Sequence, residues 1–305
     1  MDYPQHVTII EVGPRDGLQN EPAFVSTRHK IELINALSQT GLQYIEATSF
    51  VSAKAIPQLA DHDEVFNAID KNPTVHYSAL VPNERGMIKA LAAGVREVAV
   101  FTAASESFNQ RNIKCSVSES IQRFQPVLAL AMQHDIPVRG YISCVLGCPY
   151  EGKIAPLKVA EVMQQLLDLG VHEISLGDTI GVGTPRQTQL VLDEVLKRIP
   201  VSKLAMHFHD TYGQAIANIH SSLNYGVHRF DSSVAGLGGC PYAMGATGNV
   251  ATEDVLYLMH GLGIETGIDV FKVVRTGEMI CKILGRKNQS KVANALLGSM
   301  EIALV

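Results

Sequence analysis

Cysteine is scarce in this chain, and what there is argues against a covalent framework. Five residues, Cys115, Cys144, Cys148, Cys240 and Cys281, are scattered over 305 positions. An odd and thin set fits reduced thiols better than disulfides. Cys144 and Cys148 have a spacing that a metal could use, but no second pair completes a zinc site. There is no basic excess either: a formal charge of -5 excludes a general phosphate-tracking surface, though not a local basic pocket, so no nucleic-acid partner is expected. No apolar run approaches the length that spans a bilayer, so no membrane association is expected. MDYPQHVTII has neither the basic start and apolar core of a signal peptide nor the Arg-rich character of a transit segment, which makes the cytoplasm the expected compartment. Low-complexity tracts and composition shifts that would mark a linker are also missing.

What remains is an alternation. Short apolar or β-branched runs recur at even intervals: VTIIEV, YIEATSF from Tyr44, VHYSALV from Val75, EVAVFTAA from Glu97, VRGYISCVL from Val138, EISLGDT from Glu173, KLAMHFHD from Lys203 and RFDSSVAGLG from Arg229. Between them lie apolar residues at helical spacing, such as Val159, Val162 and Leu166. Gly41, Gly94, Gly170 and Gly226, each followed by an apolar residue, read as helix ends feeding the next strand. Thr184, Pro185 and Gln187 read as a cap, a first-turn proline and a capping-box partner. Eight such units in roughly 260 residues predict an α/β TIM (β/α)8 barrel, with a doubly wound sheet as the competing arrangement. Residues 1–305 are expected to form a single barrel domain, in which about 262–305 is a C-terminal helical extension packed on the barrel.

In such a barrel the chemistry sits at the C-terminal ends of the strands. The first strand runs into EVGPRDGLQNE, where Arg15 and Asp16 stand side by side. Neighbours on a regular strand face opposite ways, so both reach one site only if the backbone leaves strand geometry. Gly13, Pro14 and Gly17 permit this. His207 and His209, in HFHD at the end of the seventh run, share a face and can converge on one ion. With Asp16 they form a mixed carboxylate and imidazole set suited to Mg2+ or Mn2+, with zinc left open. After the eighth run comes AGLGGCPYAMGATGN, where dense glycine suggests a loop that moves or lies close to a ligand, and Cys240 could be a general acid or only a small buried thiol. Asn249 reads either as a helix cap or as a further metal ligand. Glu46, inside an apolar strand, needs a partner, and Arg15 is the natural one. Asp178, in LGDTIGVGTP, reads as a carboxylate at the catalytic face or as a turn former.

With these residues assembled, the chain resembles the 3-hydroxy-3-methylglutaryl-CoA lyases, metal-dependent TIM-barrel enzymes. The resemblance is carried by EVGPRDGLQNE, SFVSAKAIPQLADH, RGYISCVLGCPYEGK, EISLGDTIGVGTP, HFHDTYGQAIAN and GLGGCPYAMGATGNVATED, which span almost the whole chain. Condensing synthases share the RDG strand and the HxH pair but usually follow the second His with Asn-Asp, where this chain has Asp210 and Thr211. The resemblance implies that Asp16, His207, His209 and Asn249 hold a divalent cation, and that Arg15, Glu46, His207 and Cys240 are catalytic. It places Arg15, Ser49, Asn112, Tyr141, Asp178 and Thr179 as substrate contacts, with either Asp16 or His207 as the base. The implied reaction is retro-Claisen cleavage of 3-hydroxy-3-methylglutaryl-CoA to acetoacetate and acetyl-CoA, an acyl-CoA partner, and a homodimer. A lyase for another 3-hydroxyacyl-CoA and a condensing acyl-CoA transferase are the alternatives.

Overall fold

The computed structural model describes residues 3–239 and 248–302. Eight parallel strands close on themselves in sequence order: β1 (Thr8–Glu11), β2 (Tyr44–Ser49), β3 (His76–Leu80), β4 (Val98–Ala103), β5 (Val138–Ser143), β6 (Glu173–Asp178), β7 (Leu204–Phe208) and β8 (Arg229–Ser232). β1 pairs with β8, Thr8 opposite Arg229 and Glu11 opposite Ser232. The expected TIM barrel is the fold. Outside it lie α1 (Thr27–Leu37), α2 (His62–Ala68), α3 (Glu84–Ala92), α4 (Glu106–Ile113), α5 (Val117–Gln133), α6 (Pro156–Leu169), α7 (Pro185–Val195), α8 (Ala215–Leu223) and α9 (Thr252–Gly261).

The helices form where the apolar period and the caps agree. On α6, Val159, Val162, Met163 and Leu166 are buried on one face. Each such side chain contributes roughly 1.5–3 kcal/mol. Gly170 ends α6 in the left-handed conformation that a Cβ would strain. Val171 then donates its N–H to Leu166 O at 3.1 Å and turns the chain toward β6. At the start of α7, the Thr184 N–H reaches Gln187 Oε1 at 3.0 Å. α10 (Val270–Leu284) packs against α1 and α9. Its cap residue Asp269 donates its N–H to Thr40 O at 2.8 Å. α11 (Lys291–Ile302) is tied to α9, because Asp254 accepts the Ser290 hydroxyl at 2.7 Å and the Val292 N–H at 2.9 Å.

Several strands are shorter than their apolar runs. Cys144 leaves β5 with φ +61° and donates its N–H to Thr179 Oγ1 at 2.8 Å. Ala235 leaves the β8 segment with φ +58°.

Candidate active site

The turn after β1 resolves how neighbours serve one site. Val12 O accepts N–H groups from Arg15, Asp16 and Gly17 at 3.2, 2.7 and 3.1 Å, making one wide π-helical turn over Gly13–Gly17. The glycines are there for space. A Cβ on Gly13 would lie 2.5 Å from Glu11 Oε1, and one on Gly17 would lie 2.8 Å from both Leu237 Cβ and Ser233 Oγ.

Asp16, His207 and His209 converge, with their ligand atoms within 4.8 Å of one another. His209 Nδ1 is buried with no hydrogen-bond partner among the described residues, an arrangement that costs free energy unless something binds it. Burial, and then His207, lowers His209 to about 4, so the ring is neutral near pH 7, as a metal ligand must be. Asn249 stands beside them and is not a helix cap. α9 begins only at Thr252, and the Asn249 amide donates instead to Asp16 Oδ2 at 2.8 Å and Leu237 O at 3.2 Å. One carboxylate, two imidazoles and an amide are donors that fit a divalent metal.

Arg15 is held from two sides. Its Nε and Nη2 lie 2.7 and 2.6 Å from Glu46 Oε2, and Nη1 is 2.6 Å from Asp16 Oδ1. Burial opposes the charge, but Glu46 and then Asp16 outweigh it and raise Arg15 above its usual range. Burial likewise opposes ionisation of Asp16, yet Arg15, His207 and His209 hold it well below the usual carboxylate range.

The connection continues across the barrel interior. Tyr141 donates its hydroxyl to Glu46 Oε2 at 3.2 Å, and Arg139 Nη1 donates to that hydroxyl at 2.8 Å. Arg139 Nη2 reaches Asp231 Oδ1 at 2.7 Å, and Asp231 Oδ2 lies 3.2 Å from His207 Nδ1 and accepts the Ser175 hydroxyl at 2.8 Å. A chain of polar contacts thus runs from Asp16 through Arg15, Glu46, Tyr141, Arg139 and Asp231 to His207, whose Nε2 is 4.0 Å from Asp16 Oδ2. Burial opposes ionisation of Asp231, but Arg139 and His207 lower it to about 2.

Arg139, Glu173, Ser175 and Asp231 were not among the candidates read from the sequence. Their signal was there: Arg139 and Tyr141, Glu173 and Ser175, and Arg229 and Asp231 are each two apart on apolar strands, so each pair shares a face. Asp231 fixes the orientation of His207 and leaves Nε2 for the cavity. Asp231→Asn is expected to weaken metal affinity about 10–100-fold with the fold retained, measured by Mn2+ titration; wild-type affinity would count against this.

The cavity at the mouth has a volume of about 610 Å³. Arg15, Asp16, His207 and His209 line it, and so do Ser49, Asn112, Tyr141 and Thr179. Asp178, expected as a substrate contact or a turn former, ends β6. It is fully buried, and its oxygens accept the N–H groups of Val182 and Gly183 at 3.2 and 2.9 Å, so it shapes the turn after β6. A desolvated carboxylate is drawn to the nearest donors, here a glycine-rich backbone. Burial raises it to about 6. Cys240 lies outside the described residues. Cys144 and Cys148 are buried; Cys148 Sγ accepts the N–H groups of Tyr150 and Glu151, each at 3.4 Å, and lies 3.0 Å from the Ser105 hydroxyl.

Two buried carboxylates underlie the segment after β8. Glu11 accepts the N–H groups of Gly13 and Val234 and the Thr252 hydroxyl, and burial raises it to about 7. Glu253 accepts the Ala235 N–H, and burial raises it to about 8. A carboxyl raised in the folded state binds more protons than in the unfolded chain, so its contribution to stability falls between about pH 4.5 and 8. Glu253→Gln is therefore expected to gain stability on wild type over this window, by up to about 1.4 kcal/mol per pH unit. Denaturant melts at each pH test it, and a constant difference would refute it.

A model of the HMGL-like family matches residues 6–280. Mouse cytoplasmic 3-hydroxy-3-methylglutaryl-CoA lyase is 58% identical over 292 residues, which are 96% of this chain and 85% of that one. A Pseudomonas aeruginosa protein named 3-hydroxy-3-isohexenylglutaryl-CoA/hydroxymethylglutaryl-CoA lyase is 57% identical, with 97% and 99% covered. Among solved structures, a hydroxymethylglutaryl-CoA lyase from Pseudomonas aeruginosa superposes with a TM-score of 0.96 at 56% identity, covering 98% of this chain and 100% of that one. An HMG-CoA lyase from Acinetobacter baumannii in complex with coenzyme A and 3-methylmalate gives 0.92 at 37% identity, covering 97% and 96%. A family match over nine-tenths of the sequence, on the same barrel, leads to one conclusion: this chain belongs to the HMGL-like family.

Proposed function

We propose that this chain is a divalent-metal-dependent carbon–carbon lyase that cleaves 3-hydroxy-3-methylglutaryl-CoA to acetoacetate and acetyl-CoA. The observation that carries it is the placing of Arg15, held by Glu46, beside the Asp16, His207 and His209 cluster in one cavity. A cation held by Asp16, His207, His209 and Asn249, Mg2+ or Mn2+, would supply Lewis acidity that lowers the pKa of the tertiary hydroxyl.

His207 takes the hydroxyl proton at Nε2, with Asp231 at Nδ1 fixing the ring, whereas Asp16 is too weak a base. The same nitrogen would hold the cation, so His207 would act either as ligand or as base at any one time. As the carbon–carbon bond breaks, the hydroxyl carbon becomes the ketone of acetoacetate and the electron pair passes to the thioester enolate. Arg15 faces that developing negative charge. Cys240 then gives a proton to the enolate carbon, which completes acetyl-CoA. Ser49, Asn112, Tyr141 and Thr179 orient the substrate.

The relative named for an isohexenyl substrate favours a second reading, a lyase for a longer 3-alkyl chain. The cavity has an apolar side of Leu80, Phe101, Phe108 and Phe124 that could take one. Purified protein with Mn2+ should release acetoacetate from the hydroxymethylglutaryl thioester and stop with EDTA. No acetoacetate would end the proposal, and comparing thioesters of different chain length separates the two readings. The same reading makes the protein a cytoplasmic homodimer of one barrel domain each, with the chain from about residue 262 as a helical extension of that domain. The mouse relative's name supports the compartment, and the packing of α10 on α1 and α9 supports the single domain. None of the helices is long and apolar enough to cross a membrane, among the described residues.

A further inference from the structure

The stretch Glu11 to Glu21 does more than deliver Arg15 and Asp16. Its last two residues reach the chain just before Cys240. Asn20 Nδ2 donates to Gly239 O at 3.1 Å, and Glu21 Oε1 accepts the Gly238 N–H at 3.4 Å. Glu21 is also paired with Arg286, in the link between α10 and α11. Its side chain is 5% exposed, so donors rather than solvent fix the carboxylate.

At the same place the two ends of the segment from Gly239 to Gly248 meet. Gly248 has φ +85°, and a side chain there would collide with the Gly238 carbonyl. Gly238 has φ +120°, and a Cβ on it would lie 2.9 Å from Asn249 Nδ2. That nitrogen bonds Leu237 O. Backbone that must pass this closely tolerates no side chain, and the approach is held by ties from outside it.

The geometry points to Glu21 as a positioning residue: by accepting the Gly238 N–H it holds the neck from which the chain leaves toward Cys240. Asn20 is the second tie. Arg286 is the counter-ion that aims the Glu21 carboxylate, and so couples the C-terminal helices to the site. The acceptor, not the ion pair as such, is what the neck requires.

Two substitutions separate these roles. Glu21→Met removes the acceptor at similar size, whereas Glu21→Gln removes the charge but keeps an oxygen for Gly238. Glu21→Met is expected to lower kcat by about tenfold or more with KM within about threefold. It is also expected to change the rate of Cys240 alkylation by iodoacetamide by about threefold or more, read by peptide mass. Cys115, Cys144, Cys148 and Cys281 are buried and should stay slow. Glu21→Gln is expected to keep both measures within about threefold of wild type. A loss in Glu21→Gln as large as in Glu21→Met would overturn the acceptor role, and so would wild-type values in Glu21→Met. Should Glu21→Met not fold, Glu21→Asp, a methylene too short for Gly238, takes its place with the same expectations. The kinetic arm rests on the role proposed for Cys240. Full activity of Cys240→Ala would remove that role and leave the alkylation rates to decide on Glu21.

Discussion

Arg15→Gln is expected to lower kcat by roughly 10³-fold while KM moves only severalfold. In the proposed mechanism the negative charge that Arg15 would face exists on the thioester only as the carbon–carbon bond breaks, so the lost interaction would belong to the transition state and not to substrate binding. The guanidinium needs no reorganisation at that moment, because Glu46 and Asp16 already hold three of its nitrogens. The same substitution leaves Glu46 buried without its cation, at a cost of about 3–5 kcal/mol in stability. Steady-state kinetics below the melting temperature of the variant separate the two effects. Arg15→Lys, which keeps the charge without the planar fork, should recover only part of the rate. A rise in KM with kcat unchanged would remove Arg15 from the bond-breaking step.

His209→Ala should lower Mn2+ affinity by more than the roughly 10–100-fold that loss of an outer partner costs, and cleavage should fall with it. Among the described residues His209 Nδ1 has no hydrogen-bond partner, and burial keeps the ring neutral near pH 7, as a ligand to a cation must be. Mn2+ titration followed by electron paramagnetic resonance reads affinity directly. Chelation of wild type should abolish turnover, with recovery on adding Mn2+ back. Wild-type affinity in His209→Ala would show that the imidazole is not a ligand.

The two clusters differed in how far they could be read from sequence. His207 and His209 were legible because two residues apart on a strand is a geometric statement that survives folding. Glu46 was legible because a carboxylate in an apolar strand demands a partner. The same argument applies to Arg139, Glu173 and Asp231 but was not carried to them, because their partners lie in other runs and only closure of the barrel joins them in one network. Asn249 and Asp178 show the reverse case. Each carried a plausible local role: Asn249 turned away from its own helix to Asp16, far off in the chain, whereas Asp178 kept to the nearby backbone of Val182 and Gly183.

From its sequence alone this protein is an eight-unit barrel with Arg15, Asp16, His207 and His209 at the strand ends, because hydrophobic period, glycine caps and strand alternation are local properties of the chain. Tertiary structure alone decided that Arg15 and Asp16 share one turn for reasons of space, that Asp231 stands behind His207, and that Glu21 meets Gly238 and Arg286. Those contacts join residues tens to hundreds of positions apart. Their energies come from burial and from the exclusion of water, which no local pattern contains.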